Sequence, residues 1–271
     1  MQIACARRAD SVMSAKHPIA DEIAAPQKSA VQCQLQTFEA PQAALRVVAS
    51  SARRLYLTRW SMKLFYAPGS SSLLPHIVLC EAELPFEPVK INEHTKAISG
   101  GGDYRSVNPL GYVPALVLDD GTLLTEGAAI VQYIADLVPG KKLAPPNGTI
   151  ERAKLQAWLN FFASEMHKGG FSPLFYKGVP EEGRDVFRAR LKIRFSHLDR
   201  HLSSNEYLMG REYSVADAHF FVVSNWAGWV NFDLSPYRAV LAYRERVGSR
   251  RAVIAALKTE GLVPWPTTQP H

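Results

Sequence analysis

Three short stretches of this chain carry side chains that can do more than pack. In the first, Tyr66 closes an apolar run and is followed by Pro68-Gly69-Ser70-Ser71-Ser72 and a second apolar run, so three hydroxyls stand where a turn passes into a helix. A serine there can accept from backbone N–H groups as a cap. It can instead direct its one proton to an anion such as a thiolate, aided by the positive end of the helix dipole. One hydroxyl serves only one of these acceptors well at a time. In the second stretch, Tyr112-Val113-Pro114 stands just ahead of a hairpin, and on the dipeptide alone Pro114 is an ordinary loop proline. In the third, Thr125-Glu126-Gly127 opens a helix after a strand. Free N–H groups at that helix start suit a carboxylate and the Glu126 side chain suits an ammonium group, although an acidic first turn is common in any helix. Further along, His167-Lys168 adds an imidazole and an ammonium group; as a bare pair these are equally a polar helix face.

The elements that must hold these residues are legible in the pattern. Lys63 to Ala67 reads as a short strand stopped by Pro68-Gly69, and the serines open a helix through about Ala82, with Pro75 near its first turn, where a missing N–H does least harm. Phe86 to Ile91 reads as a second strand. A glycine-rich loop, Ser99 to Gly102, and a short polar segment lead to Asn108-Pro109. Ala115 to Leu118 and Thr122 to Leu124 flank the turn Asp119-Asp120-Gly121, a hairpin with the expected turn chemistry, and Glu126 to Leu137 is helical. The order is βαβαββα. Pro139 to Pro146, with three prolines, a glycine and two lysines, is a linker. Beyond it strand signals stop, and helical spacing fills Ile150 to Phe171, Glu181 to Leu202, Ser214 to about Asn231, and Tyr237 to Lys258, with Trp158, Leu159, Phe162 and Met166 on one face. The expectation is α/β plus all-α: one domain over residues 62–141 and a helical bundle over 148–262. Ser214-Val215-Ala216-Asp217 has the form of a capping box, a folding feature, and Cys80 falls among apolar neighbours as a core residue.

Bulk properties exclude several classes of function. The chain has 271 residues, 47% of them hydrophobic, enough for a real core. Its net charge of +6 is concentrated in residues 1–61, where eight basic side chains face four acidic ones, whereas residues 62–271 hold 23 basic and 21 acidic. A nucleic-acid reader concentrates charge on its folded part, so nucleic acid is set aside. Cys5, Cys33 and Cys80 form no Cys-x-x-Cys pair or Cys/His cluster, which argues against a metal site and a disulfide scaffold and fits a reducing, cytoplasmic setting. No stretch approaches the ~20 apolar residues that span a bilayer. Residues 1–61 lack firm periodicity and a secretory h-region; Ala43 to Trp60 is basic with scattered apolar residues, a weak transit-peptide signal, and the simpler expectation is a disordered leader or upstream extension.

The strings MKLFYAPGSSSLLPHIVL, NPLGYVPAL, LTEGAAIVQYIAD, WLNFFASEMHKG and YSVADAHFF, in this order over nearly all of residues 62–262, resemble the bacterial beta class of glutathione transferases. The resemblance implies a thioredoxin-like domain joined to a helical domain, usually in a homodimer, with glutathione as co-substrate, a hydrophobic electrophile as the other reactant and no metal or redox cofactor. It implies detoxification by conjugation. A dedicated lyase, isomerase or dehalogenase using the same nucleophile, or a non-catalytic glutathione-binding protein of this fold, are the alternatives.

Carried over residue by residue, the resemblance implies that Pro114 is cis and that the Val113 N–H and C=O are free to pair with the cysteinyl unit of glutathione as an added strand. The γ-glutamyl end would lie at Glu126 and Gly127, and the glycyl carboxylate at Lys96. Tyr112 stands where the family has a glutamine, and Ser70, Asn160 and Lys168 complete the expected glutathione contacts. Ser71 replaces the class cysteine. Serine cannot form a mixed disulfide, but it can favour the glutathione thiolate. Lowering a thiol pKa of about 8.5 by ~2 units takes about 2.7 kcal/mol. One charged hydrogen bond contributes roughly 1.5–3 kcal/mol and a helix N-terminus ~0.3–1 kcal/mol, so Ser71 with the dipole suffices. Tyr66 and His167 are the competing catalytic donors. Trp226, Trp229 and Trp265 are either a wall for the electrophile or core.

Overall fold

The molecule is described by a computed structural model over residues 62–262. The expected leader, residues 1–61, and Trp265 lie outside the described residues. Strand β1 (Met62–Tyr66) is central in a sheet of order β2-β1-β3-β4, parallel to β2 (Phe86–Lys90) and antiparallel to β3 (Ala115–Val117), which pairs antiparallel with β4 (Leu123–Thr125). Side chains alternate across a strand, and β1 uses both faces. Met62 and Leu64 join the main core with helices α1 (Leu73–Ala82) and α2 (Gly127–Leu137), whereas Phe65 packs on the other face with Ile91, Tyr104 and Ala115.

The order βαβαββα is present, with its middle helical position short. Between β2 and β3 the only helical element is a single 3-10 turn, Tyr104–Ser106. Gly100, Gly101 and Gly102 all adopt φ near +100°, a conformation that ends any right-handed helix. The loop covers the second sheet face through the fully buried Tyr104 rather than through a helical stripe.

A linker that includes the 3-10 turn Pro139–Lys141 leads to the helical layer: α3 (Ile150–Phe161), a π-helix (Phe162–Phe171), α4 (Ser172–Phe175), α5 (Glu181–Leu202), α6 (Val215–Trp229), α7 (Arg238–Gly248) and α8 (Arg251–Glu260). Two expected helices are divided. The run from Ile150 to Phe171 changes its winding at Phe162, and the Ser172 N–H bonds to the His167 carbonyl five residues back. Gly169 and Gly170 permit this: a Cβ would stand 2.9 Å from the Ser164 carbonyl at the first and 2.7 Å from the Leu191 side chain at the second. The run from Tyr237 to Lys258 breaks at the extended Arg250, whose guanidinium bonds both oxygens of Glu81 on α1 (2.6 and 2.9 Å) and lies 3.7 Å from the Tyr213 ring centroid. The capping box is present. Asp217 accepts from the Ser214 N–H (2.8 Å) and Oγ–H (2.9 Å), and also from the Leu208 N–H (2.9 Å) and the Tyr243 hydroxyl (3.0 Å). Among the described residues no helix is long and apolar enough to cross a membrane.

The helical layer grips the serine turn directly. Glu260, buried at the end of α8, accepts from the Gly69 N–H (2.8 Å) and is hydrogen-bonded to His76 Nδ1 of α1 (2.8 Å). Trp226 of α6 donates its indole N–H to the Gly69 carbonyl (2.9 Å). Both peptide groups of one turn residue are thereby fixed from the other layer.

Two outcomes follow from this packing. Glu260→Ala strands a buried N–H and a buried imidazole, so urea unfolding should show a loss of about 3–5 kcal/mol. Glu260→Gln, whose amide oxygen still accepts from Gly69, should lose less, and an unchanged midpoint for the alanine variant would contradict the account. The second concerns His219, fully buried on α6 against the Phe162 ring and held down to a pKa of about 3, first by burial and then by His167. Because the unfolded chain takes that proton at about pH 6.5, stability is complete above this value and falls as pH drops toward the folded value, by about 2 kcal/mol at pH 5. His219→Leu should remove that part of the pH dependence, read from urea midpoints at pH 7 and 5.

Candidate functional site

At the end of β1 the chain turns through Gly69, at φ +72°, where a Cβ would stand 2.6 Å from Trp229 Cη2. Three adjacent hydroxyls then divide the available bonds. Ser72, fully buried, donates to the Ala67 carbonyl and accepts from the Ala67 N–H, both at 3.1 Å. Ser70 Oγ donates to the same carbonyl (2.8 Å) and lies 2.8 Å from Ser72 Oγ. Both serines tie the turn to the strand, and the N-cap position of α1, Ser72, makes no side-chain cap. Ser71 alone reaches away, donating to the main-chain carbonyl of Val113 at 2.8 Å. The Val113 carbonyl thus already takes one donor, and its second lone pair remains. The Ser71 hydroxyl found this carbonyl because the turn and the Val113-Pro114 loop are neighbours in space.

That loop is held from below. Val113-Pro114 is cis. The preceding carbonyl, of Tyr112, accepts from the buried Tyr104 hydroxyl (2.7 Å) and from Asn108 Nδ2 (2.8 Å). Burial pushes the Tyr104 phenol up to about 12, so it remains a donor throughout the physiological range. Gly111 lets the stem of Lys96 lie alongside, since a Cβ would be 3.3 Å from Lys96 Cε. At Gly127 a Cβ would be 3.2 Å from Leu74 and 3.7 Å from Pro114. The start of α2, the cis-proline loop and the first turn of α1 thus converge on that glycine. Glu126, exposed at φ +64°, is the residue that enters α2.

The other expected residues are placed unequally. Lys168 extends from the π-helix to sit 5.5 Å from the Tyr112 ring centroid. His167 meets the Trp226 ring at 4.6 Å, with no hydrogen bond to the serine turn. Burial, and then the Lys168 charge, lowers its pKa to about 4, so at neutral pH the imidazole is uncharged. Tyr66 is buried behind the turn, its ring 5.6 Å from His76; burial and then Glu260 raise its pKa, keeping the phenol protonated. Asn160 is exposed on α3, and nothing among the described residues joins its side chain to the turn. Burial, then Glu81 and Glu260, pushes the Cys80 thiol up to about 11, consistent with a packing role.

Trp226 and Trp229 prove to have different roles. Trp226 is buried and fastens the turn, whereas Trp229 is 55% exposed and lies over Gly69. Phe175, 6.3 Å from each tryptophan ring, extends this aromatic surface, and Tyr176, next in the chain, is 61% exposed.

Sequence reasoning missed Glu260, His76, Tyr104, Asn108 and the Phe175-Tyr176 pair. A signal for Glu260 existed: it continues the stripe Val253, Ala256, Leu257 at i+7, a carboxylate on a core-facing row, which demands a buried partner. His76 likewise interrupts the apolar run of α1. Tyr104 and Asn108 sit in a loop without periodicity and gave no such sign.

Comparison with known proteins identifies the family. Residues 72–137 match the family model of the glutathione S-transferase N-terminal domain, and residues 162–250 that of the C-terminal domain. Glutathione S-transferase GstA of Escherichia coli O157:H7 is 44% identical over 201 residues, covering 74% of this chain and all of that protein. Among solved structures, a sphingomonad glutathione S-transferase complexed with glutathione is 41% identical with a TM-score of 0.71, and the beta-class enzyme of Sphingomonas chungbukensis is 45% identical with a TM-score of 0.72. Each covers 74% of this chain and all of its own. With its thioredoxin-like sheet, its helical layer and a serine turn clasped between them, this chain belongs to the glutathione S-transferase family.

Proposed function

We propose that this protein binds glutathione along the Val113-Pro114 loop, favours its thiolate through the Ser71 hydroxyl, and adds that thiolate to a hydrophobic electrophile. The observation that carries the reading is the position of Ser71: a half-buried hydroxyl at a helix start, 2.8 Å from the carbonyl beside which an extended peptide would pair. The cysteinyl unit lies against Val113 and Pro114. The γ-glutamyl end meets Glu126 and the N-terminus of α2 at Gly127, where free N–H groups favour a carboxylate. Lys96 and Lys168, on either side of Gly111 and Tyr112, hold the glycyl carboxylate. Ser70 shapes the turn rather than the peptide. Among the rival donors, Tyr66 keeps its proton but is buried behind the turn, and His167 is a neutral ring acting through contact with Trp226. No geometry supports Asn160.

The electrophile rests on Trp229, Phe175 and Tyr176, next to the sulfur site. No resident cofactor enters this reading: positioning two reactants and stabilising one anion account for the chemistry. The biological setting we infer is cytoplasmic detoxification by a homodimer.

Conjugation of chlorodinitrobenzene tests the reading. A charged hydrogen bond of about 1.5–3 kcal/mol corresponds to roughly a 10- to 150-fold loss of kcat/KM in Ser71→Ala. Turnover unaffected by the substitution would remove Ser71 from the mechanism, and retention on immobilised glutathione without turnover would favour a binding protein. Sedimentation equilibrium should give twice the chain mass; a monomer at micromolar concentration would refute the homodimer.

A further inference from the structure

The aromatic surface beside the serine turn is open on one side. Trp229 is 55% exposed and Phe175 42%, with ring centroids 6.3 Å apart, and paired exposed rings of this size mark a contact surface. The described residues end at the same place. Gly261, at φ +72°, stops α8, and the Leu262 N–H bonds back to the Leu257 carbonyl (2.9 Å), a closure that turns the chain off the helix axis. A Cβ on Gly69 would stand 2.6 Å from Trp229 Cη2 and 3.6 Å from Leu262 Cδ1, so the two side chains lie against one point.

The chain continues from Leu262 as Val263-Pro264-Trp265-Pro266-Thr267-Thr268-Gln269-Pro270-His271, apolar over its first four residues and without Lys, Arg, Asp or Glu. Pro264 and Pro266 bar a helix and favour an extended path for the residues before them. At ~3.1 Å per residue along such a path, Trp265 is restricted to within about 9 Å of Leu262. Relatives matched along their whole length account for 74% of this chain, the share that residues 62–262 make up, so they supply no counterpart for this tail.

Resting on the electrophile surface proposed above, we propose that the tail, residues 263–271, docks on Trp229 and Phe175, with Trp265 against their exposed faces. Proline-flanked segments suit aromatic surfaces because their extended form is already set and loses little entropy on docking. The two rings then meet a cover supplied by their own chain. An electrophile needs the same rings, so tail and electrophile compete, and the site is open only while the tail is off.

Fluorine NMR of the full chain labelled with 5-fluorotryptophan reads the docking without turnover. Among the five tryptophans, Trp229→Phe and Trp265→Ala assign the two signals that matter, and a synthetic peptide of residues 263–271 gives the free position of Trp265. A docked tail holds the Trp265 signal away from that position, and Trp265→Ala moves the Trp229 signal. Adding S-(2,4-dinitrophenyl)glutathione should send the Trp265 signal to the peptide's position. A Trp265 signal that is there from the start, with Trp229 unmoved by Trp265→Ala, overturns the proposal. A Trp229 signal that shifts on dilution while Trp265 stays at the peptide's position overturns it too, placing a second copy on the surface. In turnover, Trp265→Ala should lower KM for chlorodinitrobenzene by about threefold or more, because apparent affinity scales with the open fraction, and should leave KM for glutathione unchanged. Equal KM values for the electrophile overturn the competition. No conjugation by either protein overturns the proposed function instead, and the Trp229 signal still decides where the tail sits.

Discussion

The grip of the helical layer on Gly69 is the constraint from which the site follows. A peptide group at a turn normally bonds to water or to its own strand; here its N–H is taken by a buried carboxylate and its carbonyl by a buried indole, residues 191 and 157 positions away in the chain. A buried carboxylate is costly unless every bond it offers is answered, and Glu260 is answered by Gly69 and His76. The turn therefore has one conformation, and with it α1 has one starting point. Arg250 with Glu81 repeats the device at the other end of α1. The turn after β1 is thereby oriented by the helical layer, and the two layers are coupled through a single residue.

Within that fixed turn the three serines are not equivalent. Two hold the turn to Ala67 at the end of β1 and to each other. The third is pointed across the gap to the cis-proline loop, which Tyr104 and Asn108 hold from the opposite side. The site is thus an arrangement of two main-chain segments bridged by one hydroxyl.

The π-helix supplies the second wall. Its wider winding, allowed by two glycines whose side chains would collide with Ser164 and Leu191, carries His167 to Trp226 and Lys168 to Tyr112. The glycines matter here for space rather than for backbone conformation. Phe175, just beyond, and Trp229 on α6 then form an exposed aromatic surface beside the turn, in contrast to Trp226, whose polar edge is spent on structure.

What the sequence determined by itself is whatever depends on near neighbours. The strand ended by Pro68-Gly69, the hairpin around Asp119-Asp120-Gly121, the capping box at Ser214 and Asp217, the span of α5 and the division into a mixed layer and a helical one all follow from local periodicity and turn chemistry, and the structure has each of them. Local signals also suggested one continuous helix that tertiary packing refused: the run through Ser249-Arg250, bent so that Arg250 could reach Glu81. The carbonyl that Ser71 engages and the hold of Glu260 and Trp226 on Gly69 were decided only in three dimensions. Each is a hydrogen bond between residues from 42 to 191 positions apart in the chain, and only the packed fold makes such residues neighbours.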